Sequence, residues 1–398
     1  MLKTYLRRCH LLLALISGLF LLSLSMSGAV LLYAKDIQRL VNPQFWLLEP
    51  QEIANKPLLL LSELTEQVTT NIHKKIKYIE KSDAKNVAWQ IRLQDNSYAS
   101  INPYNGDTLL RYQFTDTLYG FTMAWHRWLL YSDKNNEKPF KVLMSIASLI
   151  LIIEIIIGVY LWAKPKHRIK RMKIRWQAKN KILLHQLHTT LGVICCLPLI
   201  LIAFSGMAFN WKEATQGIVE WLTFSEIENH QTKQKNVAAI AAMPNAHFNT
   251  KSTNALVNLD LAYTTAQTQL KEGQVLRIYL PQKPTEPLAL RIKMPAESHA
   301  YSWSWSDASS GKFLDSFNAT QTSIATQVWN FKYKFHIGEF IGWPIKVLWL
   351  FLSILPSFFM ISGCYLWLKR KNKMIKPLAI IKAKNGSLLL PQIRLGKT

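Results

Sequence analysis

The sequence predicts a membrane protein, mainly α-helical. Four transmembrane helices fall in two tandem repeats, each with an outward α+β module between its helices. Three observations predict it. Four apolar runs, residues 11–34, 142–163, 189–211 and 345–368, each hold about the 20 residues that a helix needs to cross the hydrocarbon core. The positive charge is gathered at the ends and in one short loop. The chain also matches itself in order, at shifts of 178 and 205 residues.

The first run follows a basic start (Lys3, Arg7, Arg8) and ends in small residues (Ser25, Ser27, Gly28, Ala29), which is also how a cleaved signal peptide reads. It is longer than an ordinary signal core of about 7 to 15 residues, and its place in the repeat favours a retained helix. The formal net charge of +24 suggests nucleic acid until its distribution is followed. Residues 164–181 carry nine Lys or Arg and no acid, and residues 369–398 carry nine more and no acid. The long segments 35–138 and 212–340 are near balance, with 25 basic against 23 acidic residues. By the positive-inside rule both termini and the middle loop face the cytoplasm, and the long segments face outward. The basic tail also suits anionic lipid. Cys9, Cys195, Cys196 and Cys364 all lie in or beside apolar runs, so no disulfide framework or CxxC metal site is expected.

The division that follows is 1–34 (N-terminus and first helix), 35–141 (first module), 142–163 (second helix) and 164–182 (basic loop). Then come 183–211 (third helix), 212–344 (second module), 345–368 (fourth helix) and 369–398 (basic tail). Ser27-Gly28-Ala29-Val30 matches Ser205-Gly206-Met207-Ala208, and GVYLW (158–162) matches GCYLW (363–367). Between them NPYNGDTLL (102–110) matches DASSGKFLD (307–315), with Gly106 and Gly311 at tight turns. The first module reads as a helix over 58–72 and strands over 87–93, 98–102 and 108–114. The second reads as a helix over 259–270 and strands over 275–280, 288–293 and 301–305. Neither holds a nucleophile with its base or a phosphate-binding loop. A transporter is disfavoured, because the repeats are parallel and no broken helix is expected.

Four of the ten histidines recur in the repeat. His10 and His188, 178 apart, sit at the inner ends of the first and third helices. His126 and His336 precede the second and fourth helices on the outer side, equivalent if the first copy carries about five extra residues. Facing pairs of neutral imidazoles are what a six-coordinate b-type haem needs. His10 with His188 is expected to hold an inner haem, and His126 with His336 an outer one. His185, three residues before His188, is an alternative inner ligand or a propionate partner. Gly28 and Gly206 either admit the outer porphyrin or pack helices. His73, His167, His230, His247 and His299 fall in polar segments and are expected to be solvated. Glu154 is the one acid inside a spanning run and is expected to face the bundle, relaying protons or accepting a bond from a ligand imidazole. Trp125, Trp128, Trp329, Tyr333 and Trp343 read as an interfacial belt or a docking surface.

LHTTLG (187–192), WHRW (125–128), the NPYNG and DASSG turns, and FHIGEFIG (335–342) leading to SGCYLW together carry a resemblance. The chain resembles the PepSY-associated transmembrane proteins, also described as PiuB-like or iron-regulated membrane proteins, from His10 to about residue 371. Ala14, where the third helix has Gly192, is a departure. The resemblance implies a haem-containing ferric-siderophore reductase of the ferrioxamine type in the bacterial inner membrane, with His10, His126, His188 and His336 as the matching positions. Some relatives continue into a flavodoxin-reductase-like domain; here the expected electron donor is separate, a quinol or a cytosolic flavoprotein. The alternative is a non-redox PepSY protein that binds or inhibits a partner such as a peptidase.

Overall fold

The structure is a computed structural model that describes residues 1–374 apart from 54–55, 83, 166, 229–232, 235–236, 238–258 and 284. His230, His247 and the tail from 375 lie outside the described residues. In chain order come α1 (Leu2–Leu31), α2 (Leu61–Ile72), four strands, α3 (Leu118–Trp128) and α4 (Phe140–Ala163). Next are α5 (Asn180–Ile194), α6 (Cys196–Met207), α7 (Lys212–Thr223) and α8 (Leu259–Thr268). Four more strands, α9 (Ile324–His336) and α10 (Trp343–Met374) complete the described chain.

Helices α1, α4 and α10 are long and apolar enough to span a membrane. The third run differs from expectation: it is two helices, α5 and α6, bent by 66° at Cys195. Pro198, in the first turn of α6, has no N–H for the Ile194 carbonyl, and its ring crowds that carbonyl. The helix resumes where Leu199 N reaches Cys195 O at 3.1 Å. The expected absence of a broken helix therefore does not hold.

Small residues bring the helices together, as packing in lipid requires. A Cβ at Gly18 of α1 would lie 2.3 Å from the Met360 sulfur of α10. One helical turn pair further, Ser25 Oγ donates to the Ser353 carbonyl and accepts from Ser357 N at 3.3 Å. In this way α1 is bound into the bundle along its length.

The eight strands are β1 (Ile76–Glu80), β2 (Trp89–Leu93), β3 (Tyr98–Ile101), β4 (Thr108–Tyr112), β5 (Gln274–Tyr279), β6 (Leu288–Lys293), β7 (Ser302–Ser306) and β8 (Phe313–Phe317). They form one antiparallel sheet in the order β4-β3-β2-β1-β5-β6-β7-β8, which reads alike from both edges. The sequence reading has two separate modules and omits β1, the strand that joins them. Edge strands left open invite further pairing, and β1 and β5 close each other's edge with Ile79 opposite Ile278 and Glu80 opposite Arg277. The turns at Gly106 (φ +74°) and Gly311 (φ +72°) lie in the left-handed region, which favours glycine. One sheet face packs on α2 and α8 through Leu64, Val68, Ile79, Ile91, Ile278 and Leu290. Burying each such side chain contributes about 1.5 to 3 kcal/mol. The other face carries Tyr78, Arg277, Tyr279 and Trp303; the Arg277 guanidinium lies 4.6 Å over the Tyr78 ring and 2.6 Å from the Glu80 carboxylate.

Candidate functional site

The structure brings the four histidines together in the expected pairs. His10 on α1 faces His188 on α5, ring centroids 6.5 Å apart and planes at 85°. His126 on α3 faces His336 on α9, centroids 6.3 Å apart and planes at 54°. Both α3 and α9 are helices that the sequence reading left unassigned; they lead into α4 and α10 and hold the second pair near the sheet end of the bundle. Along α1 the pairs are about 25 Å apart at 1.5 Å rise per residue, from His10 to Ser27. His185 is exposed.

Each imidazole lies against a glycine. A Cβ at Gly28 would be 3.3 Å from His126 Cε1, and one at Gly206 would be 3.0 Å from His336 Cε1. At Gly158 and Gly363 the corresponding distances to His10 and His188 are both 3.8 Å. Gly28 and Gly206 therefore seat histidine rings directly, which neither sequence reading of them anticipates.

The residue before each glycine is Ser27, Ser205, Ser362 or, in one case, Ile157. The three hydroxyls lie 3.0 Å from His126 Nδ1, 3.0 Å from His336 Nδ1 and 2.8 Å from His188 Nδ1. A hydroxyl has one proton to donate. Ser27 gives it to the Ser23 carbonyl at 2.6 Å, Ser205 to the Ile202 carbonyl at 2.9 Å and Ser362 to the Phe359 carbonyl at 3.2 Å. What each presents to its imidazole is then a lone pair, so Nδ1 carries the hydrogen and Nε2 is left as an electron-pair donor. The Ile202 carbonyl also accepts from His336 Nδ1, at 3.1 Å. At His10 the Glu154 main-chain carbonyl lies beside Nδ1, yet Nδ1 is buried without a hydrogen bond of good geometry.

A cavity of about 450 Å³ opens at the second pair. His126, His336, Gly28 and Gly206 line it with apolar side chains from α1, α4, α6 and α10. At its mouth stand Lys35, Arg39, Arg127 and Lys346 against Asp36 and Glu339. Lys346 pairs with Asp36 at 2.8 Å and Glu339 with Lys334 at 2.9 Å, so the mouth keeps an excess of positive charge.

The spacing of the paired rings is compatible with a haem held by two imidazoles. Two metal–imidazole bonds of about 2.0 Å, with the ring radius added at each end, put the centroids of a bis-imidazole site about 6.4 Å apart.

Other expectations meet mixed outcomes. Glu154 is buried, 7 % exposed, and faces the bundle. Its carboxylate meets Ser17 and not an imidazole, and Oε1 has no hydrogen-bond partner. His73 and His167 are exposed as expected. His299 is half-buried rather than freely solvated: its ring lies 5.0 Å from Tyr333 and 5.9 Å from Tyr301, and burial, helped by Arg291 and Lys334, lowers its pKa to about 3. Of the aromatic belt only Trp343 is freely exposed; Trp125 donates to Ser23 Oγ at 2.7 Å, and Trp329 is buried. The four cysteines are free thiols.

No curated protein matches the chain. The pattern that defines the PepSY-associated TM region matches residues 7–370, a stretch that contains both sheet halves, all four apolar runs and all four paired histidines. The chain therefore belongs to the PepSY-associated TM region family.

Proposed function

We propose that this protein is a di-haem electron conduit of the bacterial inner membrane, built from two copies of one helix–module–helix unit. The single observation that carries the reading is the pair of facing imidazole sets, each at bis-histidine separation, three of the four with Nε2 left as the donor. His10 and His188 would hold one b-type haem, and His126 and His336 the other. A haem supplies reversible one-electron chemistry at its iron. The protein's own residues do the rest: imidazoles bind and orient, glycines admit the rings, and the helices exclude water. The positive mouth offers partners for propionate carboxylates.

The distribution of charge supports a periplasmic side for the pair at the sheet end and a cytoplasmic side for both termini. Electrons would enter from a quinol or a cytosolic flavoprotein and leave to a ferric siderophore, releasing the weakly chelated Fe(II). The cationic rim and the aromatic face of the sheet, with Arg277 over Tyr78, suit such a ligand.

The test is a reduced-minus-oxidised spectrum of the purified protein. Two b-type haems per chain are expected, with one lost on His188→Ala and one on His336→Ala, and dithionite-reduced protein should be reoxidised by added ferric siderophore. A colourless protein from haem-replete cells overturns the reading and leaves the partner-binding alternative.

A further inference from the structure

Three of the four paired histidines rest on a Ser-Gly dipeptide and the fourth on Ile157-Gly158. From this difference we infer that Ser27, Ser205 and Ser362 are positioning residues that set the tautomer and the donor strength of the haem-ligand imidazoles, and that Ile157 makes the two haem sites unequal. The inference rests on the haem reading above and goes beyond it.

The chemistry follows from the hydrogen bonds. A ligand imidazole whose Nδ1–H donates to an oxygen is a more basic Nε2 donor, and this favours the ferric over the ferrous state. At the pair near the sheet both rings have a serine oxygen, at 3.0 Å each. At the other pair only His188 has one, at 2.8 Å, while Nδ1 of His10 is buried without such a bond. Ser27, Ser205 and Ser362 are nearly or fully buried, at 0 %, 3 % and 2 % exposure, so water does not replace them. The repeat match aligns Ile157 with Ser362 at the 205-residue shift. His10 therefore lacks the hydroxyl bond that the other three imidazoles possess, and the Glu154 main-chain carbonyl beside its Nδ1 does not replace it with a hydrogen bond of good geometry, which contributes a higher reduction potential there.

The arrangement also predicts what a new hydroxyl would do. Serine is smaller than isoleucine, so Ile157→Ser introduces an oxygen without overpacking and places it where Ser362 stands for His188. Restoring a missing bond is a stronger test than deleting one, because a merely structural serine would give no gain elsewhere.

The experiment is a spectroelectrochemical titration of the purified holoprotein in detergent, with haem content fixed by pyridine haemochrome. Ile157→Ser is expected to lower the potential of one haem, and Ser27→Ala to raise that of the other. Each change is expected to be about fivefold in the one-electron equilibrium constant, or about 40 mV at about 59 mV per decade. Ser205→Ala is expected to shift the same potential in the same direction, because the Leu24 carbonyl stands by His126 as the Ile202 carbonyl stands by His336. Variants that keep both haems and wild-type potentials overturn this inference alone. A wild type that binds no haem overturns the haem reading and this inference with it.

Discussion

At the scale of the residue, the site depends on contacts that differ by fractions of an ångström. A methyl group at Gly206 would stand 3.0 Å from His336 Cε1, closer than ordinary packing allows, whereas at Gly158 it would stand 3.8 Å from His10. Gly206→Ala is therefore expected to displace the His336 ring and cost about 1 to 3 kcal/mol of strain, with loss of one of the two haem signals. Gly158→Ala is expected to keep both. Equal spectra from the two variants would contradict the role given to the glycines. The histidines were legible in the sequence because they recur in the repeat, His10 and His188 at the 178-residue shift and His126 and His336 once about five extra residues are allowed for, and so were Gly28 and Gly206. Their partnership was not, since a helix of α3 and α9 type folds back to bring His126 to Ser27, 99 residues away.

At the scale of the element, α9 links the second histidine pair to the sheet. Its Tyr333 packs on Phe209, itself 5.5 Å from His336, and on His299 in the connection between β6 and β7. Burial holds the His299 pKa near 3, against 6.5 unfolded. The unfolded chain then binds the extra proton between those values, so stability is complete above about pH 6.5 and is lost as pH falls toward 3. Thermal unfolding of the full-length protein should fall with a slope of about 1 kcal/mol per pH unit between pH 6.5 and 5. His299→Phe should flatten that slope; an unchanged slope would show that His299 titrates freely. Element by element, the strands at 288–293 and the turns at Gly106 and Gly311 were readable from alternation and turn residues. The break at Cys195 had its cause in plain sight at Pro198, but an apolar run does not say whether a proline bends its helix or sits at a helix start.

At the scale of the whole molecule, the two modules are one body, because β1 and β5 pair at the centre of a single sheet. Ile79 and Ile278, 0 % and 2 % exposed, face each other across that seam. Ile79→Ala is expected to destabilise the sheet by about 2 to 5 kcal/mol, and calorimetry should show one unfolding transition for both modules that shifts as a unit. Two separate transitions, only one of them moved, would mean that the halves fold independently. The shared sheet also fixes α3 and α9 relative to each other. These are the two helices that carry His126 and His336.

By itself the sequence determined the membrane class, the apolar runs, the side expected for each segment and the four histidines that pair. Those properties are set by local composition and by repetition, which a linear reading captures. Tertiary structure alone decided that the two modules share a sheet, that the third run is bent, and that each imidazole rests on a glycine with a serine oxygen beside three of the four. Such facts depend on which distant segments meet, and hydrophobic burial drives that meeting without specifying its register along the chain.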